Sequence, residues 1–151
     1  MGKIRELVPA YRTRNDYQVG QGETILKPED VARIFGDALR AKPWECFVAV
    51  YLNGANRIIA WSEITTGTPS QAVPHIRNVI APALLKFATA IIVLHNHPSD
   101  SDKPSVDDRR FTHGLKVACD AMDIELLDHI LIFERPEGGT GFYSFAEGEG
   151  L

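Results

Sequence analysis

Two histidines one residue apart, followed at fixed offsets by a serine and an aspartate, are the side chains best placed to do chemistry: His95-Asn96-His97-Pro98-Ser99, then Ser105, then Asp108. Two imidazoles and a carboxylate make a three-ligand set for a catalytic zinc, which keeps its fourth position open for water. On an extended chain alternate side chains point the same way, with Cα atoms about 6.6 Å apart, so His95 and His97 can converge on one ion. Ser105 and Asp108 are three apart and share one side of a helical turn. A carboxylate in a first turn is also favoured by the positive end of the helix dipole. Ser-x-x-Asp is close to a helix capping box with Ser105 at the N-cap, and capping and ligation are compatible. Each residue taken singly has a structural explanation. The full spacing at a strand-to-helix junction arises by chance in roughly fewer than one chain in a thousand.

Metal-assisted hydrolysis also needs a base to take a proton from water. Glu45 opens the apolar run Cys46-Phe47-Val48-Ala49-Val50. It is the first candidate, because partial desolvation at the edge of a core suits a carboxylate to accept protons near neutrality. Glu63 competes for the role. Other readings of the histidines fail. A zinc deaminase needs His-x-Glu and a Pro-Cys-x-x-Cys pair, whereas the cysteines here are Cys46 and Cys119, far apart. The helical His-Glu-x-x-His of metalloproteases is absent. The letters His-Asn-His invite a nuclease reading, but contiguous letters do not build that metal site. His75 and His113 read as surface groups. His129, within Leu126-Leu127-Asp128-His129-Ile130, reads as hydrogen-bonded in a sheet rather than as a ligand.

The elements that position these groups follow from periodicity. Ala90-Ile91-Ile92-Val93-Leu94 is a continuous apolar run, the pattern of a buried strand over 89–94. The histidines then lie where that strand runs out into a loop, a usual place for chemistry. Ser105 to Met122 has a helical period. Pro28, Glu29 and Asp30 open a helix over 28–41, with Val31, Ile34, Phe35, Ala38 and Leu39 on one face. Glu45–Leu52 and Arg57–Ile64 read as a hairpin around Asn53-Gly54. A helix over 75–87 contains Pro82, so it is kinked there or begins late. Ile124–Phe133 and Phe142–Phe145 read as strands. The order of elements predicts a three-layer α/β or α+β domain with helices flanking a sheet, preceded by an irregular arm over 1–27.

With 151 residues, 44% hydrophobic and 24% charged, the chain has the composition of a single globular domain. A net charge of −4 supplies no overall field for nucleic acid. Lys3, Arg5, Arg12 and Arg14 form a local basic cluster that reads as a solvated tail, with phosphate contact as the alternative. Two isolated cysteines in apolar surroundings suit a reducing compartment. No apolar run reaches the ~20 residues of a membrane span, and the first residues are not of signal-peptide type. The expected location is the cytoplasm.

The segments His95-Asn96-His97-Pro98-Ser99, Pro104-Ser105-x-x-Asp108 and Leu127-Asp128-His129-Ile130 resemble the RadC-like branch of the JAB/JAMM (MPN) metallopeptidase superfamily. The resemblance runs from about Glu45 through Tyr143-Ser144-Phe145, and Gly67-Thr68 and Arg77 also match. It implies a cytidine-deaminase-like α/β/α core around a mixed sheet, within a domain over 28–151. It implies zinc held by His95, His97 and Asp108 with water as fourth ligand, and Glu45 as base and then proton donor to the leaving amine. Ser105 would hydrogen-bond the oxyanion. The implied substrates are peptide or isopeptide bonds, including those to ubiquitin-like modifiers. Departures exist: Asp100 stands where the family commonly has Gly, and Ile76-Arg77-Asn78 where Pro-Arg-Glu is usual. Full-length RadC proteins carry an amino-terminal helix-hairpin-helix region unlike residues 1–44. The chain therefore reads as a stand-alone catalytic domain, with little support for the family's DNA-repair label. Two other classes stay open: a non-enzymatic interaction module that keeps its metal for stability, and a DNA-associated protein binding phosphate through its basic amino terminus.

Overall fold

The two uninterrupted apolar runs of the sequence become adjacent central strands. The computed structural model describes residues 10, 17, 22–66, 74–99 and 101–151. Its elements are α1 (Pro28–Arg40), β1 (Cys46–Leu52), β2 (Ile58–Thr66), α2 (Ile76–Leu85), β3 (Ala90–Asn96), α3 (Val106–Ala121), β4 (Glu125–Glu134), β5 (Thr140–Ser144) and α4 (Phe145–Gly148). The sheet order is β2-β1-β3-β4-β5. Strands β3 and β4 are parallel and the other neighbours antiparallel, so the sheet is mixed. Every residue of β1 and β3 is buried. Strands covered on both faces read as continuous apolar stretches, without polar alternation.

Alternation of side chains divides the core in two. On one face α1 lays Val31, Ile34, Phe35 and Leu39 over Val48, Val50, Ile92 and Leu94. On the other face Val79 and Ala83 of α2, with Phe111 and Leu115 of α3, cover Phe47, Ala49, Ile91 and Val93. The result is the α/β/α layering expected from the order of elements. Helix α1 starts at Pro28, and the Asp30 carboxylate accepts the Leu26 and Lys27 amides at 3.0 and 3.2 Å. Helix α2 begins at Ile76 and continues past Pro82 to Leu85, so it does not begin late. In the β1–β2 turn the Asn53 side chain accepts the amides of Ala55 and Arg57. The left-handed residue there is Asn56, at φ 54°, and not the glycine.

Three features depart from expectation. Strand β3 continues through His95 and Asn96, so the first histidine sits inside the ladder, opposite Phe47 of β1 and Leu131 of β4. Helix α4, capped by the Ser144 hydroxyl, was not foreseen; it has only four residues and no helical period to read. The described part of the amino-terminal segment is not a free arm. Tyr17 and Ile25 are 6% and 4% exposed and belong to the α1-side core, and Thr24 bridges to Arg57. Lys3, Arg5, Arg12, Arg14, Gly67-Thr68 and Asp100 lie outside the described residues. No described helix is long and apolar enough to cross a membrane.

Candidate metal centre

Antiparallel pairing of β1 with β3 puts the start of one strand beside the end of the other. Glu45, just before β1, and His97, just after β3, thereby reach one cavity of about 520 Å³. The chain then turns into α3, whose N-cap is Ser105, and this brings Ser105 and Asp108 to the same cavity, walled by Phe47 and Phe111. His97 is anchored past the strand end by its amide, which donates to the Ile132 carbonyl at 3.0 Å.

His95, His97 and Asp108 form a cluster able to hold a metal ion. The two Nε2 atoms are 3.1 Å apart. His95 Nε2 lies 3.2 Å from Asp108 Oδ1, and His97 Nε2 lies 3.4 Å from Asp108 Oδ2. Two donor atoms about 2.0–2.1 Å from a tetrahedral zinc must be about 3.3 Å from each other. The two nitrogens are close to that spacing, and each has an oxygen of the Asp108 carboxylate near it, Oδ1 beside His95 and Oδ2 beside His97. Their lone pairs are aimed as well. His97 Nδ1 is 3.2 Å from the Ser101 carbonyl oxygen. A carbonyl only accepts, so Nδ1 carries a hydrogen, and whenever the ring is neutral Nε2 presents its lone pair to the cluster.

The capping box and the candidate ligand set turn out to be one structure. Asp108 Oδ2 accepts the Ser105 amide at 2.7 Å, and Ser105 Oγ accepts the Asp108 amide at 3.0 Å. The first bond commits one carboxylate oxygen and leaves Oδ1 facing His95. The second leaves the Ser105 hydroxyl hydrogen available to a substrate oxygen. Burial alone would raise the Asp108 pKa, but the His95 and His97 imidazoles against it and the Ser105 amide hold it far below the usual carboxylate range. Burial would lower that of His97, yet Asp108, the Ser101 carbonyl and the charge of Glu45 together lift it above its ordinary 6.5.

The two candidate bases separate clearly. Glu45 shares the cavity but is exposed, a correction to the core-edge placement, because the buried stretch begins one residue later at Cys46. Glu63 lies opposite Val48, on the α1 side of the sheet away from His95, and pairs with Lys42 at 3.5 Å. His75 and His113 are exposed. His129 lies in β4 and is hydrogen-bonded within the sheet as expected, its side-chain Nε2 standing 2.8 Å from Nδ1 of His95 on the neighbouring strand β3.

Asn96 carries a task that spacing did not reveal. Between the two histidines, it points to the opposite face of β3. There its Oδ1 accepts the Cys46 amide at 2.7 Å, and its Nδ2 donates to the carbonyls of Trp44 and Lys42 at 3.0 and 3.4 Å. One buried side chain thus ties the segment bearing Glu45 to the strand bearing His95. The period-2 rule turns Asn96 away from the histidines, but its partners some 50 residues earlier are invisible in the sequence.

Comparison with known proteins places these residues among relatives. The RadC-like JAB domain family profile matches residues 25–151. The UPF0758 protein of Xanthomonas campestris pv. campestris (strain 8004) is 44% identical over 112 residues, covering 74% of this chain and 50% of that protein. The UPF0758 protein of Xanthomonas euvesicatoria pv. vesicatoria (strain 85-10) is 44% identical over 128 residues, covering 84% and 54%. That of Streptococcus sanguinis (strain SK36) is 34% identical over 145 residues, covering 96% and 62%. The chain spans about half the length of the Xanthomonas relatives it matches.

Proposed function

Because the chain belongs to the RadC-like JAB domain family, we propose that it is a zinc-dependent hydrolase of peptide or isopeptide bonds in a peptide or protein-conjugate substrate. One observation carries the reading: two imidazole nitrogens 3.1 Å apart each face an oxygen of the Asp108 carboxylate, at 3.2 and 3.4 Å, with Glu45 and Ser105 in the same cavity. Two imidazole nitrogens and one carboxylate suit zinc and leave room for water. His95, His97 and Asp108 would hold the zinc, which when bound would supply an acidified water, its pKa lowered to about 7, and polarise the scissile carbonyl.

The remaining steps belong to the protein's own side chains. Glu45 takes one proton from the attacking water and later delivers it to the amine nitrogen. The water oxygen bonds to the carbonyl carbon, the C–N bond breaks, and the delivered proton lets the amine leave neutral. Ser105 donates its hydroxyl hydrogen to the developing oxyanion, a donor held ready by the helix cap. Phe47 and Phe111 give the cavity an apolar wall that strengthens these polar contacts.

The test pairs metal analysis of the purified protein with a cleavage profile over a broad peptide library and isopeptide-linked conjugates. The expected outcome is about one zinc per chain, with cleavage lost on chelation and restored by zinc. Glu45→Ala should keep its zinc and lose roughly 10²–10⁴-fold in rate. Full zinc occupancy without cleavage of any substrate leaves the metal as a stabiliser of an interaction module. Retained turnover in Glu45→Ala removes that residue from the reaction.

A further inference from the structure

Two stretches have no part in the proposed reaction: Leu127-Asp128-His129-Ile130 on β4 and Tyr143-Ser144-Phe145 where β5 passes into α4. Both converge on His95 from behind. His129 is fully buried. The Phe145 ring stacks on it at 4.5 Å between centroids and 8° between planes, and Phe47 lies at 5.5 Å. Asp128 holds the frame of this packing. Its Oδ2 accepts the Ser144 hydroxyl at 2.6 Å, and its Oδ1 accepts the amides of His129 and Ala146 at 2.7 and 3.0 Å.

The polar contacts of His129 have a forced direction. Thr112, one helical turn beyond Asp108, has its Oγ1 2.6 Å from the Asp108 carbonyl oxygen. A carbonyl cannot donate, so Thr112 spends its single hydrogen there. Thr112 Oγ1 is also 2.6 Å from His129 Nδ1, and with its hydrogen committed it must accept, so His129 carries its hydrogen on Nδ1. The ring is enclosed by Phe47, Phe111 and Phe145, and in a neutral ring with its hydrogen on Nδ1 the Nε2 is a lone pair. That lone pair meets His95 Nδ1 at 2.8 Å, so His95 donates from Nδ1. The His95 lone pair is left on Nε2, the atom beside Asp108 Oδ1 and His97 Nε2.

We propose that Thr112 and His129 are positioning residues for His95: a one-way hydrogen-bond relay from the α3 backbone fixes the tautomer and ring plane of His95, so that Nε2 is a ready donor before any metal arrives. The proposal rests on His95 being a metal ligand. It gives roles to the Asp128-His129 and Ser144-Phe145 segments, which brace the middle of the relay. Partners that bind the far nitrogen of a ligating histidine set its orientation and basicity, and their loss typically costs 10–100-fold in metal affinity.

The direct test is the long-range proton–nitrogen spectrum of ¹⁵N-labelled, metal-free protein, which distinguishes Nδ1–H from Nε2–H imidazoles. Both His95 and His129 should be Nδ1–H. His95 found as Nε2–H, or as a mixture, overturns the relay without any variant being made. Thr112→Val keeps the side-chain shape but removes the hydroxyl. It should weaken Zn²⁺ binding by about 10–100-fold and shift His95 away from the Nδ1–H form, whereas Thr112→Ser stays within about twofold. A folded Thr112→Val protein with unchanged zinc affinity and an unchanged His95 tautomer sinks the proposal. If Thr112→Val does not fold, the wild-type spectrum still decides. Neither readout uses hydrolysis, so an inactive protein with the expected tautomers counts against the peptidase reading alone.

Discussion

Ser105 does two things with one oxygen: it caps α3 through the Asp108 amide, and it faces the cavity with its hydrogen free. Ser105→Ala should therefore cost about 1 kcal/mol in denaturant unfolding, the usual loss of a cap. It should also cost about 10²–10³-fold in kcat, the usual loss of an oxyanion donor. A lowered stability with unchanged kcat would leave Ser105 as a cap only. His97 sets the pH response. Imidazole binds metal only when neutral, and in the metal-free protein Asp108 and Glu45 favour its protonated form, raising its pKa above 6.5. Protons thus compete with zinc already above pH 6.5, and affinity should climb with pH through that region before levelling off once His97 is neutral. Calorimetric zinc titrations in buffers of differing ionisation enthalpy should show proton release that shrinks as the pH rises. Release that is flat with pH contradicts this account.

At the scale of elements the site depends on two junctions. One is the start of α3, where a single capping box aligns both Ser105 and Asp108. The other is the approach of the 42–46 segment to the end of β3, held by Asn96. Asn96→Ala leaves the buried Cys46 amide without its side-chain acceptor, at a cost of about 1–3 kcal/mol. Because Asn96 faces away from the histidines, zinc affinity should remain within a few-fold while kcat falls more than about tenfold, the segment bearing Glu45 being loosened from its working position. Zinc titration, melting and turnover of the same sample check this. Weakened zinc binding with normal kcat per bound metal assigns Asn96 to the ligand strand instead.

For the whole molecule, the candidate ligands join different layers: β3 supplies His95, the loop after it His97, and α3 supplies Asp108. An ion bound across that seam stabilises the native state and has no preorganised site in the unfolded chain. At free zinc 1,000 times its Kd, the linkage contributes about 4 kcal/mol, and for a domain of this size that is roughly 8–16 °C in Tm. Scanning calorimetry with and without chelator should show a downward shift of that order. Coincident melts would mean that no ion bridges strand and helix.

The candidate ligand trio was legible because its geometry is local. Alternate residues of an extended segment share a face, and residues three apart share a helical turn, so His95, His97, Ser105 and Asp108 could be gathered from spacing. Layering was legible for a similar reason: the unbroken apolar runs of β1 and β3 state that both sheet faces are covered. What spacing could not supply are contacts between elements. His129 reaches His95 across 34 residues and Asn96 reaches Cys46 across 50. Glu45 and Glu63 look alike in sequence and part company only through the register of β1 with its neighbours. Tyr17 and Ile25, in a segment without periodicity, enter the core because α1 and β2 leave apolar surface there. Local periodicity decides which side chains point together; packing of one element on another decides what they meet, because burial and hydrogen-bond satisfaction are properties of the assembled layers.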